Sequence, residues 1–184
     1  MTFNKNNDIN WAEKNRLKYI TETTEVPTEP WMSQKEIDLI LSHLDPTMTM
    51  LELGSGGSTL FFSKHVKELH SVESEKAWYD LIKEHTKPIN GDSNVTYYYK
   101  QKGEELESFA ATLHRQYDAI LIDTYTPRWR LLKNLEQCIN QWTIIFIHDF
   151  FAQDRLQLQT EAKKYYKIID WSIQGQSLAV CKRK

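Results

Sequence analysis

Cysteine is nearly absent from the chain, with only Cys138 and Cys181 among 184 residues. Two thiols without metal-ligand spacing exclude a disulfide scaffold or a thiolate zinc site, and are expected to be reduced and buried in a cytoplasmic protein. Also missing is any apolar run of membrane-spanning length, so no membrane partner is expected. Residues 1–10 are polar and lack the apolar core of a signal peptide. No charge of one sign prevails: 23 Lys and Arg stand against 25 Asp and Glu, a formal net charge of −2. A partner held mainly through phosphates demands a basic excess, so nucleic acid is not expected as a partner. There are no repeats and no Gly/Ser-rich linker, and the length suits one domain over residues 1–184.

What remains is an alternation of helical and extended patterns. Residues 1–45 read as N-terminal helices, one over 11–23 and one opened by Ser33. Ser33 and Glu36 fit a capping box, and Ile37, Ile40, Leu41 and Leu44 follow at helical spacing until Pro46. From residue 46 to 184 strands are expected at 48–53, 68–73, 95–99, 119–122, 144–147, 168–173 and 178–181. The unbroken apolar runs at 119–122 and 144–147 suit parallel strands covered on both faces, whereas the alternation of Val95, Tyr97 and Tyr99 suits a sheet edge. Between the two runs Thr126 is expected to cap, and Pro127 to start, a helix through Leu132, Leu135 and Ile139. Gly175 suits a tight turn between two antiparallel final strands. The fold class is therefore α/β: three layers around a mostly parallel seven-stranded sheet, with a C-terminal antiparallel hairpin and extra N-terminal helices. Ligands on such sheets sit beyond the carboxyl ends of the strands.

One such end carries Leu51-Glu52-Leu53-Gly54-Ser55-Gly56-Gly57. Glycines at a strand-to-helix turn let backbone approach a ligand closely. Glu73 follows about 20 residues later, at the end of the next strand, where an acid can accept hydrogen bonds from ribose hydroxyls. These features, and the element order from residue 31 onward, resemble the Rossmann-like class I S-adenosylmethionine-dependent methyltransferase family. The resemblance implies that S-adenosylmethionine is the cofactor, with Glu52 two places before the first glycine. It places Gly54, Ser55, Gly56 and Gly57 along the methionine part, Glu73 and Ser74 at the ribose, and Asp123 near the reacting end. Ser58 stands where a third glycine is usual in that family. A dinucleotide-binding turn would prefer a glycine at Thr59 instead. Trp78 suits either an adenine cover or the core. Trp31 and Ser33 can close over the methionine end, Ser33 also being a plain cap, and Gly103 and Glu104 suit either an adenine contact or a solvated helix start.

The fourth and fifth strands end at Asp123 and at His148-Asp149. Together these acids resemble the magnesium-dependent O-methyltransferases of the catechol and macrolide-sugar types, which implies a possible Mg2+ or Mn2+ ion on Asp123 and Asp149. Phe150 replaces the amide ligand of the catechol enzymes, and Thr126 their catalytic lysine. The alternative is that Asp123 orients the cofactor amine or the acceptor and Asp149 caps a loop. His148 reads as a general base or as a histidine fixed at a strand end. Tyr125, Arg128 and Trp129 border the acceptor region, Arg128 being expected on a helix surface or beside an anionic acceptor. The catalytic candidates are thus Asp123, His148 and Asp149. The expected activity is O-methylation of a small molecule or of a carbohydrate hydroxyl. An aminopropyl transferase and a non-catalytic cofactor-binding module of a glycan-building system are the alternatives.

Overall fold

The computed structural model describes residues 26–85, 93–151, 156–174 and 177–184. The helix expected over 11–23 and the turn at Gly175 lie outside them. The elements, in chain order, are α1 (Gln34–Leu41), β1 (Thr49–Leu53), α2 (Gly57–Phe62), β2 (Glu68–Glu73), α3 (Lys76–His85), β3 (Val95–Tyr99) and α4 (Glu104–Thr112). They continue with β4 (Ala119–Ile122), α5 (Arg128–Asn134), a 3-10 turn (Glu136–Cys138), β5 (Ile144–His148), α6 (Leu156–Tyr165), β6 (Tyr166–Ser172) and β7 (Leu178–Arg183). The seven strands form one sheet in the order β3-β2-β1-β4-β5-β7-β6. β1 to β5 run parallel, and β7 is antiparallel to both β5 and β6. The expected α/β architecture with its C-terminal hairpin is what the chain adopts, and β3 lies at an edge as its alternation implies.

Successive side chains of a strand point to opposite faces, and this rule sorts the core into two layers. Leu51, Leu53, Ile120, Ile122, Ile145 and Ile147 pack with Leu106, Leu131 and Leu132 of α4 and α5. Met50, Leu69, Leu121 and Phe146 pack on the other face with Ile40 of α1 and Phe62 of α2. The same parity carries Glu52, Ser71, Glu73 and His148 onto the α1 and α2 face. Register pairs Leu53 with Ile122 and Ile122 with Ile147, so β1, β4 and β5 end level with one another.

Some boundaries differ from the sequence expectation. Helix α1 stops at Leu41, well before Pro46, because His43 N–H and Leu44 N–H bond three residues back to Ile40 and Leu41 and tighten the chain out of the α-helix. Helix α5 ends at Asn134, and Cys138 belongs to the 3-10 turn that follows. Thr126 does not cap α5; its hydroxyl instead accepts the Gly103 N–H at 3.4 Å. Cys138 and Cys181 are free and buried. Among the described residues no helix is long and apolar enough to cross a membrane.

Candidate functional site

The turn after β1 is held by two carboxylates. Glu52 is completely buried, and its oxygens accept the hydroxyls of Thr59 at 2.6 Å, Ser71 at 2.7 Å and Ser58. Burial pushes its carboxyl up to about 7, against the three hydroxyl donors, which pull it down. Glu52 therefore braces the turn from behind rather than facing outward. Glu73, at the end of β2, is 1% exposed. One of its oxygens accepts Ser55 N–H at 3.0 Å and the Ser55 hydroxyl at 2.9 Å; the other accepts the N–H groups of Ser74 and Glu75, both at 2.7 Å. Glu73 thus ties the glycine-rich turn to the neighbouring strand end.

The glycines have distinct reasons. Gly54 has φ +100°, and a Cβ there would stand 1.9 Å from the Asp123 carbonyl oxygen, where the chain leaving β1 runs beside the chain leaving β4. At Gly57 a Cβ would meet the Glu29 carbonyl oxygen at 2.0 Å, because the segment before α1 passes over the start of α2. Gly56 is different: a Cβ there would meet only the Trp78 ring, at 3.8 Å. Trp78 is buried with Val26 and Ile82, donates its Nε1–H to the Ser55 carbonyl at 2.7 Å, and has the exposed Trp31 ring 6.0 Å away. It is both a core residue and a wall of the turn. The backbone at Gly56, the Glu73 carboxylate and two indole rings thus meet at one turn, with the Glu73 oxygens bonded within it.

Ser33 caps α1 in the expected box: its hydroxyl and N–H both donate to Glu36 Oε2 at 2.7 Å, and the Glu36 N–H returns to the Ser33 hydroxyl. Glu36, however, is fully buried, and its second oxygen lies 3.9 Å from His148 Nε2. The Gly103 position opens α4 with φ +85° and nothing against it, and Glu104 is exposed.

At the ends of β4 and β5 the candidate catalytic residues Asp123, His148 and Asp149 come together, with one donor atom of each lying within 4.8 Å of the others. His148 is buried and places Nδ1 3.2 Å from Asp123 Oδ1. Arg128 is the surprise. Expected on a helix surface, it is 4% exposed, and its Nη2 bridges Asp123 Oδ1 at 2.9 Å and Asp149 Oδ2 at 3.1 Å. Burial opposes ionisation of Asp123, but the nearby charges of His148 and Arg128 and the Arg128 hydrogen bond outweigh it and hold this carboxyl well below the usual range. Burial pulls His148 down, and Asp123 with Asp149 more than reverses this, so the imidazole titrates above its ordinary value.

A divalent ion on Asp123 and Asp149 fits this arrangement poorly. The guanidinium already lies between the two acids. Displacing it would strand a buried cation, a loss of about 3–5 kcal/mol for a broken buried pair. Phe150, in the position of an amide ligand, is fully buried in the core. Tyr125 is exposed, and Trp129 lines a groove with Leu132, Tyr165 and Tyr166.

Sequence reasoning missed the burial of Glu36 and of Arg128, though spacing held the signal. Glu36 lies four residues before Ile40, and Arg128 three and four residues before Leu131 and Leu132, so each shares the buried face of its helix.

No family model matches the chain, and no curated relative matches it. Solved structures do. A precorrin 8W decarboxylase of Methanobacterium thermoautotrophicum superposes with a TM-score of 0.64 at 11% identity, covering 86% of this chain and 93% of that one. A protein assigned as an O-methyltransferase, from Klebsiella pneumoniae, gives 0.64 at 15% identity over 92% and 89%. A protein assigned as a methyltransferase, from Streptococcus mutans and in complex with S-adenosylhomocysteine, gives 0.61 at 13% identity over 83% and 100%. The chain thus has the Rossmann-like fold of the S-adenosylmethionine-dependent methyltransferases.

Proposed function

We propose that the chain is an S-adenosylmethionine-dependent methyltransferase acting on a hydroxyl of a small molecule or a sugar. The observation that carries this reading is the 54–57 turn clasped by Glu73, set level with Asp123 and His148 at the next strand ends. The Streptococcus mutans neighbour, of the same fold, was crystallised with S-adenosylhomocysteine, which favours an adenosyl ligand here too. Glu73 would hold its ribose hydroxyls, the Ser55 hydroxyl turning aside, and the backbone at Gly56 with Trp78 would border the rest. When bound, the cofactor supplies an activated methyl group, so much of the catalysis is positioning.

A hydroxyl acceptor must still lose its proton. Asp123 is one-third exposed, and its Oδ1 faces both His148 and Arg128. The proton leaves through Asp123, the most exposed member of the group, toward neutral His148 buried behind it, and Arg128 fixes the Asp123 carboxylate. The aminopropyl alternative asks the two acids to hold a polyamine, yet Arg128 already stands between them and offsets one of their charges. A non-catalytic module would bind the adenosyl ligand without turnover.

Calorimetry tests the reading. Binding of S-adenosylmethionine or S-adenosylhomocysteine is expected, with no response to a nicotinamide dinucleotide; the opposite pattern would remove it. Charge-assisted hydrogen bonds to a carboxylate contribute roughly 1.5–3 kcal/mol each. Glu73→Ala should therefore weaken adenosyl binding by at least about tenfold.

A further inference from the structure

We propose that Arg128 is the resident cation of the acceptor end, standing between Asp123 and Asp149 where a divalent ion would sit, so that the centre works without a bound metal. What the centre does rests on the methyltransferase reading above; what occupies it is a separate matter of geometry.

Two carboxylates and an imidazole with donor atoms within 4.8 Å of one another are the kind of set that gathers a small cation. Here the cation is covalent. A single nitrogen, Nη2, reaches both acids, at 2.9 and 3.1 Å, so one oxygen of each carboxylate is already held by a cation. The stem of Arg128 leaves α5 on the face that buries Leu131 and Leu132, so the head group is carried inward by the helix itself. Among the described residues its Nε and Nη1 have no hydrogen-bond partner, so the two acids supply the guanidinium's only hydrogen bonds there. Asp149 closes the arrangement from the other side: its backbone, at φ 55°, turns just beyond β5. Aspartate tolerates that conformation better than most residues. A guanidinium stays charged throughout the accessible pH range. One of the two carboxylate charges is therefore compensated at every accessible pH, and Asp123 Oδ2 is not engaged by the guanidinium.

The test is a titration of the whole chain with manganese(II) alone, followed by loss of the free ion's paramagnetic signal. Wild-type protein is expected to show no stoichiometric site. Arg128→Ala should open one, binding at least about tenfold more tightly, and adding Asp149→Asn should close it again. If circular dichroism shows Arg128→Ala unfolded, Arg128→Gln, which keeps most of the stem, is used in its place. A stoichiometric manganese site in the wild-type chain that Asp149→Asn removes would overturn the proposal. So would a folded Arg128 variant that binds manganese no better than wild type. Calorimetry with S-adenosylhomocysteine on the same samples keeps the two ideas apart: its failure counts against the methyltransferase reading, while the manganese result decides the cation.

Discussion

Replacing Glu52 by glutamine removes an ionisable group from a position where water has no access. In the unfolded chain this carboxyl titrates near 4.5, and in the folded protein near 7. The folded state therefore holds the proton more tightly. Its contribution to stability is complete below about pH 4.5 and is lost as pH rises through about 7. At about 1.4 kcal/mol per pH unit the displacement amounts to about 3 kcal/mol, most of which falls between about pH 5 and about pH 8. Glutamine has nearly the same volume and keeps an acceptor oxygen, and the hydroxyls of Ser58, Thr59 and Ser71 can rotate to meet its amide. Urea denaturation at the two pH values, on wild type and on Glu52→Gln, isolates this group from the other titrating side chains. Wild type should lose about 2–3 kcal/mol more than the variant on going from the lower to the higher pH. Parallel stability profiles would refute the reasoning, because they would mean that this carboxylate is solvated or fully satisfied when ionised.

Gly54→Ala places a side chain on a backbone at φ +100° and against the Asp123 carbonyl, so thermal denaturation should reveal a loss of at least about 1–3 kcal/mol. Gly56→Ala, with only the Trp78 ring at 3.8 Å, is the control and should lose less; equal losses would contradict the geometry. Because Asp123 raises the His148 pKa, Asp123→Asn should lower turnover and move the rising limb of the pH–rate profile to lower pH. An unmoved limb would remove His148 as the proton acceptor.

The sheet was legible because its centre is written in unmixed apolar residues. Ala119–Ile122 and Ile144–His148 are buried at every position, as parallel strands covered on both faces must be. The glycine-rich turn and Glu73 were legible for a different reason: a sharp strand-to-helix turn restricts the residues that can build it. The buried charges were not. Arg128 read as a surface residue because a charge is normally left in water, whereas Glu36 was legible as the partner of Ser33 but not as a buried group beside His148. Asp123 and Asp149 could be placed at neighbouring strand ends from topology, but the cation between them depends on which way α5 faces. Helix ends were blurred for a local reason, since tight hydrogen bonds three residues back stop α1 without any glycine or proline at that point.

The antiparallel strand β7 has a consequence for how such a protein can change. Because it runs against β5, it begins where β5 ends, and Leu178 pairs with His148. The hairpin between β6 and β7 is thereby delivered to the same rim of the sheet as the acids. Gln174 accepts the Ser33 hydroxyl at 3.3 Å, and the Ser177 hydroxyl accepts the N–H of Phe151 at 3.0 Å. The glycine-rich turn lies on β1 and β2, across β4 and β5 from this hairpin. The rim is thus divided into two provinces built from opposite ends of the chain. New residues could be tried in the hairpin to reshape the ground beside the acids while the turn two strands away keeps its shape.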